Sequence, residues 1–417
     1  MNRISIALVF LAWLLAGCDT PAPESAGPEP QAVSEYRVVI ELPEVELPVR
    51  MHLAPDGSEA WFENGVERVV VPRVESTDSG YRLEFPAFGN SVLLEREGEG
   101  FRGTLTLQKR GYQQVMPLSA VPDPGYRFAP DPQPEADFTG RWAVAFIEPD
   151  GEQAAAVGEF DQRGNEVSGT FLTPTGDYRY LAGNVDGRTM YLSTFDGAHA
   201  FVFEARMNDD GSLEGDFWSG TKWHQQWTAA RDFDAALPDA YSLTFIKDGY
   251  EGLEFTFPDL DGKPISLDDE KYRGKVVLVS LAGSWCPNCG DEMAYLSGVY
   301  ERYRDQGLEI ICLLYEHFED FERAAQQGRA LKEKYDIGFD VLVAGISDKT
   351  AAAETLPMLN HVLAYPTLIF VDRRGEVRRI HTGFSGPGTG EHFEEFKRKF
   401  TSELESLLAE PSVQAGP

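Results

Sequence analysis

The hydrophobic rhythm of the chain changes once. Up to about Arg231, apolar and polar residues alternate in short runs such as Tyr36-Arg37-Val38-Val39-Ile40 and Ser91-Val92-Leu93-Leu94. Turn pairs break these runs at Asp56-Gly57, Asn64-Gly65, Asp150-Gly151, Asp186-Gly187 and Asp210-Gly211. Alternation with period two places one face of a strand on a core and the other in water, so this part is expected to be all-β, a sandwich or barrel. A proline cluster at 121–137 (Pro122, Pro124, Pro130, Pro132, Pro134) divides it into β-rich regions at 35–120 and 138–232 and reads as a linker. Beyond residue 250 the blocks become continuously apolar. Val276–Ala282 and Leu308–Tyr315 have the form of strands buried on both faces. Between them Met293, Leu296, Tyr300 and Tyr303 recur at helical spacing. A helix near 319–335, a strand at 340–344, a hairpin over Arg374-Gly375 and a closing helix at 392–408 complete an α/β domain over 250–410, with a central sheet and helices on both faces. The fold class is therefore multidomain: all-β regions followed by an α/β domain.

At 417 residues the chain exceeds one ordinary core. Its formal charge of −31 argues against nucleic acid or anionic lipid as a binding surface. The N-terminus changes the picture of location. Arg3 precedes the apolar stretch Ile4–Ala16, which runs into Leu15-Ala16-Gly17-Cys18, the layout of an export signal over 1–18. Its end resembles the bacterial lipobox, in which the cysteine is lipidated and becomes the new N-terminus. That resemblance implies a periplasmic, lipid-anchored protein, with Asp19 favouring the inner membrane. The proline-rich stretch 19–34 reads as a tether.

With Cys18 set aside, Cys286, Cys289 and Cys312 remain of the four cysteines. Cys286-Pro287-Asn288-Cys289 falls where the apolar strand delivers the chain into a helix. Unpaired backbone N–H groups and the helix dipole there favour a thiolate, so the pair is a dithiol that can attack a disulfide and then close on itself. The competing metal reading takes Cys286, Cys289, Cys312 and His317 as a zinc set. Cys312, however, lies mid-strand between Ile311 and Leu313, the place of a buried structural cysteine, and no metal is expected. The aromatics of the second β region (Trp142, Phe160, Phe171, Tyr178, Tyr180, Trp218, Trp223, Trp227), with His199 and His224, read as core packing ahead of a ligand-lined lumen.

Taken in order, Asp261-Gly262-Lys263 with Ile265-Ser266-Leu267, Gly274–Val279, Trp285-Cys286-Pro287-Asn288-Cys289 and Tyr365-Pro366-Thr367 resemble the exported, membrane-tethered thiol-disulfide reductases of the TlpA/ResA type, on a thioredoxin fold, over about Phe255–Leu408. The resemblance implies that Cys286 is the exposed cysteine that attacks the substrate and that Cys289 resolves the mixed disulfide. It also implies that Pro366 is a cis-proline facing the pair, that Tyr365 pairs its backbone with an extended substrate, and that Trp285 packs beside the thiols. Glu292 matches an acid of the ResA-like group, suited to accept and return the proton of Cys289. Ser280 stands where cytosolic thioredoxins carry a buried aspartate. No cofactor is implied beyond the Cys286–Cys289 disulfide. The implied partners are disulfide-containing exported proteins, a membrane electron donor, and the membrane itself through the lipid anchor. Two alternatives stand beside a reductase: a disulfide oxidant or isomerase, and a β-rich binding or assembly module with the thioredoxin-like domain as docking platform.

Overall fold

The computed structural model describes residues 33–411. The export signal, Cys18 and most of the tether lie outside the described residues. Two nine-stranded antiparallel sheets precede a mixed five-stranded one. The first runs from Ser34–Glu41 to Tyr112–Pro122 and stays open, its edges formed by Glu67–Val70 and Arg73–Ser76. It is a half-barrel. The second, from Gly140–Ile147 to Trp223–Arg231, closes on itself because Gln153–Arg163 pairs with both Gly140–Ile147 and Glu166–Thr173. Closure removes the free edges that an open sheet exposes.

The barrel interior is packed with apolar side chains. Trp142, Phe171, Phe203 and Trp227 are fully buried inside it. Phe171 packs against Phe160, Tyr178, Phe203 and Trp227 with ring centroids 4.7–5.9 Å apart. Aromatic packing at these separations fills the interior. Phe171→Ala is expected to lower stability by roughly 3–5 kcal/mol. Urea unfolding followed by tryptophan fluorescence checks this, and a loss below about 1 kcal/mol would mean the interior has slack.

The half-barrel does not complete its own core. Phe195, Ala198, Ala200 and Val202, all from the barrel side, lie in one buried cluster with Met51, Phe62, Phe85 and Leu94 of the half-barrel. The proline-rich segment is bound along its course. The Arg50 guanidinium donates to Asp123 at 2.6 Å. Arg127 donates to Ser193 Oγ at 3.0 Å and to the Glu63 carbonyl at 3.1 Å.

In the third sheet Val276–Ala282 is central, parallel to Leu308–Glu316 and antiparallel to Thr367–Val371, with Asp340–Ile346 and Val377–Thr382 at the edges. Its two central parallel strands are buried at every position, as their largely apolar runs require, with Ser280, Glu309 and Glu316 as buried polar exceptions. Helices cover both faces unequally. The long helices Pro287–Tyr303, Phe321–Tyr335 and Glu391–Leu408 touch one another through Gly290 on Tyr335 and Tyr295 on Phe393, Phe396 and Phe400. The short helix Lys349–Thr355 serves the other face, where the Tyr315 hydroxyl meets Thr355 at 2.8 Å.

Candidate active site

Strand Val276–Ala282 ends at Gly283, and Cys286 caps the helix Pro287–Tyr303. The cap residue is extended (φ −105°, ψ 110°), Pro287 occupies the first turn, where its missing N–H leaves no bond unmade, and the Cys289 N–H points at the Cys286 sulfur at 3.2 Å. Cys286 and Cys289 form a disulfide. The Cys286 sulfur lies 3.5 Å from the carbonyl oxygen of Tyr365, and the Tyr365–Pro366 peptide bond is cis. Trp285 is fixed rather than loose. Its Nε1–H donates to the Tyr315 carbonyl at 2.8 Å, and its ring stacks on His317 and stands edge-on to Tyr365. The segment before Cys286 is anchored from below by Glu316, which accepts from the Ser284 N–H at 2.8 Å and the Ser284 hydroxyl at 3.0 Å. Burial pushes the Glu316 carboxyl up to about 7.

Glu292 lies one turn beyond Cys289 and is completely buried. The Ser280 hydroxyl donates to its Oε2 at 2.5 Å, while Oε1 has no hydrogen-bond partner among the described residues. Removal from water pushes its carboxyl up to about 8, and the Ser280 bond only partly opposes this. A surface role at the helix N-terminus is therefore excluded. Ser280 and Glu292, twelve positions apart in sequence, form a single hydrogen-bonded unit, a pairing that sequence reasoning treated only as a substitution.

Cys286 departs from expectation. It is 7% exposed, not the open sulfur that the resemblance implied. It lies in the core cluster of its own domain, with its sulfur against the Tyr365 carbonyl and the Cys289 N–H, and both β regions dock on the surface beside it. The barrel turn after Glu166–Thr173 carries Asp177, whose carbonyl accepts from Asn288 Nδ2 at 3.0 Å and whose carboxylate accepts from the Gly386 N–H at 2.7 Å. Arg179, in the left-handed region at φ 57°, reaches the Pro287 carbonyl at 3.3 Å and pairs with Asp291 of the dithiol helix. It also pairs with Glu67 of the half-barrel at 2.5 Å and lies 3.6 Å from Asp196. One buried guanidinium thus joins all three parts of the chain. Burial pushes the Asp291 carboxyl up to about 7 against the pull of Arg179. From the half-barrel, Arg110 pairs with Asp348 at 2.9 Å, and Phe88 carries Lys334 of the domain helix Phe321–Tyr335 4.2 Å over its ring. Burial, with the nearby charges of Lys109 and Arg110, pushes the His317 imidazole down to about 4. Asp177, Arg179 and Asp291 were invisible to motif reading, because nothing local separates a docking turn from an ordinary one.

Among the described residues no group of three or more His, Cys, Asp or Glu is placed to hold a metal ion. Cys312 is buried mid-strand opposite Ser280 and Val341, while His317 stacks on Trp285, so the alternative zinc set is not assembled.

Residues 249–380 match the AhpC/TSA family model. The thiol-disulfide oxidoreductase ResA of Bacillus thuringiensis subsp. konkukian is 29% identical over 153 residues, 37% of this chain and 78% of that protein. The thioredoxin-like protein YneN of Bacillus subtilis is 30% identical over 138 residues, 33% of this chain and 73% of its own. The chain belongs to the ResA/YneN family of thiol-disulfide oxidoreductases. ResA of Geobacillus kaustophilus, 30% identical over 140 residues, covers a similar part, 34% of this chain and 72% of its own. As a member of this family the protein is a thiol-disulfide oxidoreductase, and the Cys286–Cys289 pair fits its CxxC. The family model leaves the two β regions outside, so it assigns no role to residues 34–231.

Proposed function

We propose that the protein is a reductase of disulfides in exported proteins, held on the periplasmic side of a bacterial membrane by lipid on Cys18 and recharged by a membrane electron donor. The observation that carries this reading is the placement of the pair: a dithiol at a helix N-terminus, beside the cis-Pro366 loop, with a buried carboxyl one turn below. A thiolate at Cys286 is favoured by the unpaired N–H groups of the first helical turn. It attacks one sulfur of a substrate disulfide, forming a mixed disulfide and expelling the other sulfur as a thiolate. Cys289 then gives its proton to Glu292 in its ionised form and attacks the Cys286 sulfur, which closes the intramolecular disulfide and frees the second substrate thiolate. Two electrons pass from the pair to the substrate, and the membrane donor returns them. Tyr365 offers its backbone, and Trp285 its ring, to the segment that carries the target. The export signal and the apolar stretch before Cys18 support the location. Asp19 favours the inner membrane.

The reduction potential of the pair tests the direction. In the full chain, Trp285 fluorescence with thiol trapping across a thiol/disulfide redox series is expected to give a potential near thioredoxin's, about −270 mV, and a value near that of DsbA, about −120 mV, would make the protein an oxidant.

A further inference from the structure

The barrel turn that docks beside the inter-cysteine residues Pro287 and Asn288 comes from another part of the chain, and its contact is built rather than incidental. The barrel turn 173–180 approaches the dithiol domain too closely for side chains at the contact glycines. A Cβ on Gly176 would stand 2.9 Å from Asn288 Nδ2, one on Gly388 would stand 2.9 Å from the Arg179 carbonyl, and one on Gly383 would stand 3.0 Å from the Pro174 carbonyl oxygen. Gly383 is itself bonded through its N–H to the Pro366 carbonyl at 3.0 Å. The turn therefore occupies ground beside both the inter-cysteine residues and the cis-proline loop, where a protein substrate has to lie.

The same contact has the character of an interface that opens. It is made by polar groups, and beside it a cavity of about 250 Å³ lined by Pro174, Leu237, His381 and Phe384 separates the barrel from the domain. The connection is short on firm structure. Arg141 holds the Ala235 carbonyl at 2.7 Å on the barrel side, and the Ala240 carbonyl accepts from the Thr382 N–H at 3.0 Å on the domain side. Residues 236–239 span the gap without helix or strand.

The geometry points to the barrel turn 173–180 as an intramolecular cap on the dithiol, latched by Arg179 against Asp291, that lifts before a protein disulfide reaches Cys286. This rests on the reading of Cys286 as the attacking thiol. The cap makes the barrel a gate on substrate size: while it is closed, a folded protein cannot bring a disulfide sulfur into line with Cys286.

The test uses the reduced full chain and two maleimides, N-ethylmaleimide and one carried on a long polyethylene glycol chain, with labelling followed separately at Cys286 and at Cys312. Cys312 is fully buried in the domain core and serves as a sensor of unfolding. The latch is broken from either side by Arg179→Met or Asp291→Asn, the second keeping side-chain volume so that one folded variant is available. Both variants are expected to raise the rate of the bulky reagent at Cys286 by at least about tenfold with Cys312 still unlabelled, the response to a shift of the closed–open equilibrium. An unchanged Cys286 rate in both, or Cys312 labelling in step with Cys286 in both, overturns the cap. If N-ethylmaleimide also fails to label Cys286 in both latch variants while it labels the denatured chain, the failure lies with Cys286 as nucleophile.

Discussion

Cys286→Ser is expected to abolish reduction of insulin disulfides, by at least about a thousandfold, because a serine hydroxyl is not ionised at neutral pH and cannot form the mixed disulfide. Cys289→Ser is expected to fail differently. Its Cys286 still attacks, but nothing resolves the adduct, so a covalent enzyme–substrate disulfide accumulates and is seen as one added substrate mass under non-reducing conditions. The proposed division of labour rests on the placement of the two sulfurs. Cys286 is the cap residue next to the Tyr365 carbonyl, and Cys289 is wholly enclosed. Adduct on Cys286→Ser and none on Cys289→Ser would reverse the roles. Turnover by both variants at the parental rate would place the chemistry elsewhere.

The second large effect belongs to Glu292. Its carboxyl, ordinarily near 4.5, is pushed up to about 8 by complete burial. Between those two pH values the folded chain holds a proton that the unfolded chain has lost, so raising pH through this window removes stability. The loss is on the order of 3–6 kcal/mol when integrated over the window. Glu292→Gln keeps the shape and the Ser280 bond but cannot ionise. It is therefore expected to be more stable than the parent at pH 8, with a much flatter stability profile between about pH 4.5 and 8. Urea unfolding at a series of pH values checks this. Activity is expected to move the other way. With no group to take the Cys289 proton, resolution of the mixed disulfide slows by roughly 10²–10³-fold, within the usual worth of a positioned base. A variant with parental resolution rates would leave Glu292 with a packing role only.

The C-terminal domain could be read from the sequence because its signals are local. An uncharged strand, a CxxC and a helical repeat adjoin one another in sequence, and they adjoin one another in space. The filled barrel was legible in part: Trp142, Phe160, Phe171, Tyr178 and Trp227 pack inside it, whereas Trp223 is exposed and Trp218 lies against the half-barrel core. What escaped depends on separation. Arg179 meets partners 112 positions away on both sides, at Glu67 and Asp291, and neither run of sequence carries a trace of the other. The docking of the barrel turn beside Pro287 and Asn288 follows from those same distant contacts. A motif states what a cysteine can do, and only the assembled chain decides what can reach it.

The shared core of the two β regions has a consequence for how such a chain can be divided. The barrel has a filled core, but the half-barrel has no complete interior of its own. The half-barrel's apolar face is covered by Phe195, Ala198, Ala200 and Val202, and Arg127 of the intervening segment is bonded into both. A cut in 121–137 would leave an apolar concavity facing solvent, an adhesive surface ready to aggregate. The extension is therefore one heritable cassette: recombination can add or remove it whole at the 236–239 junction, but natural variants that keep one half and lose the other should not persist.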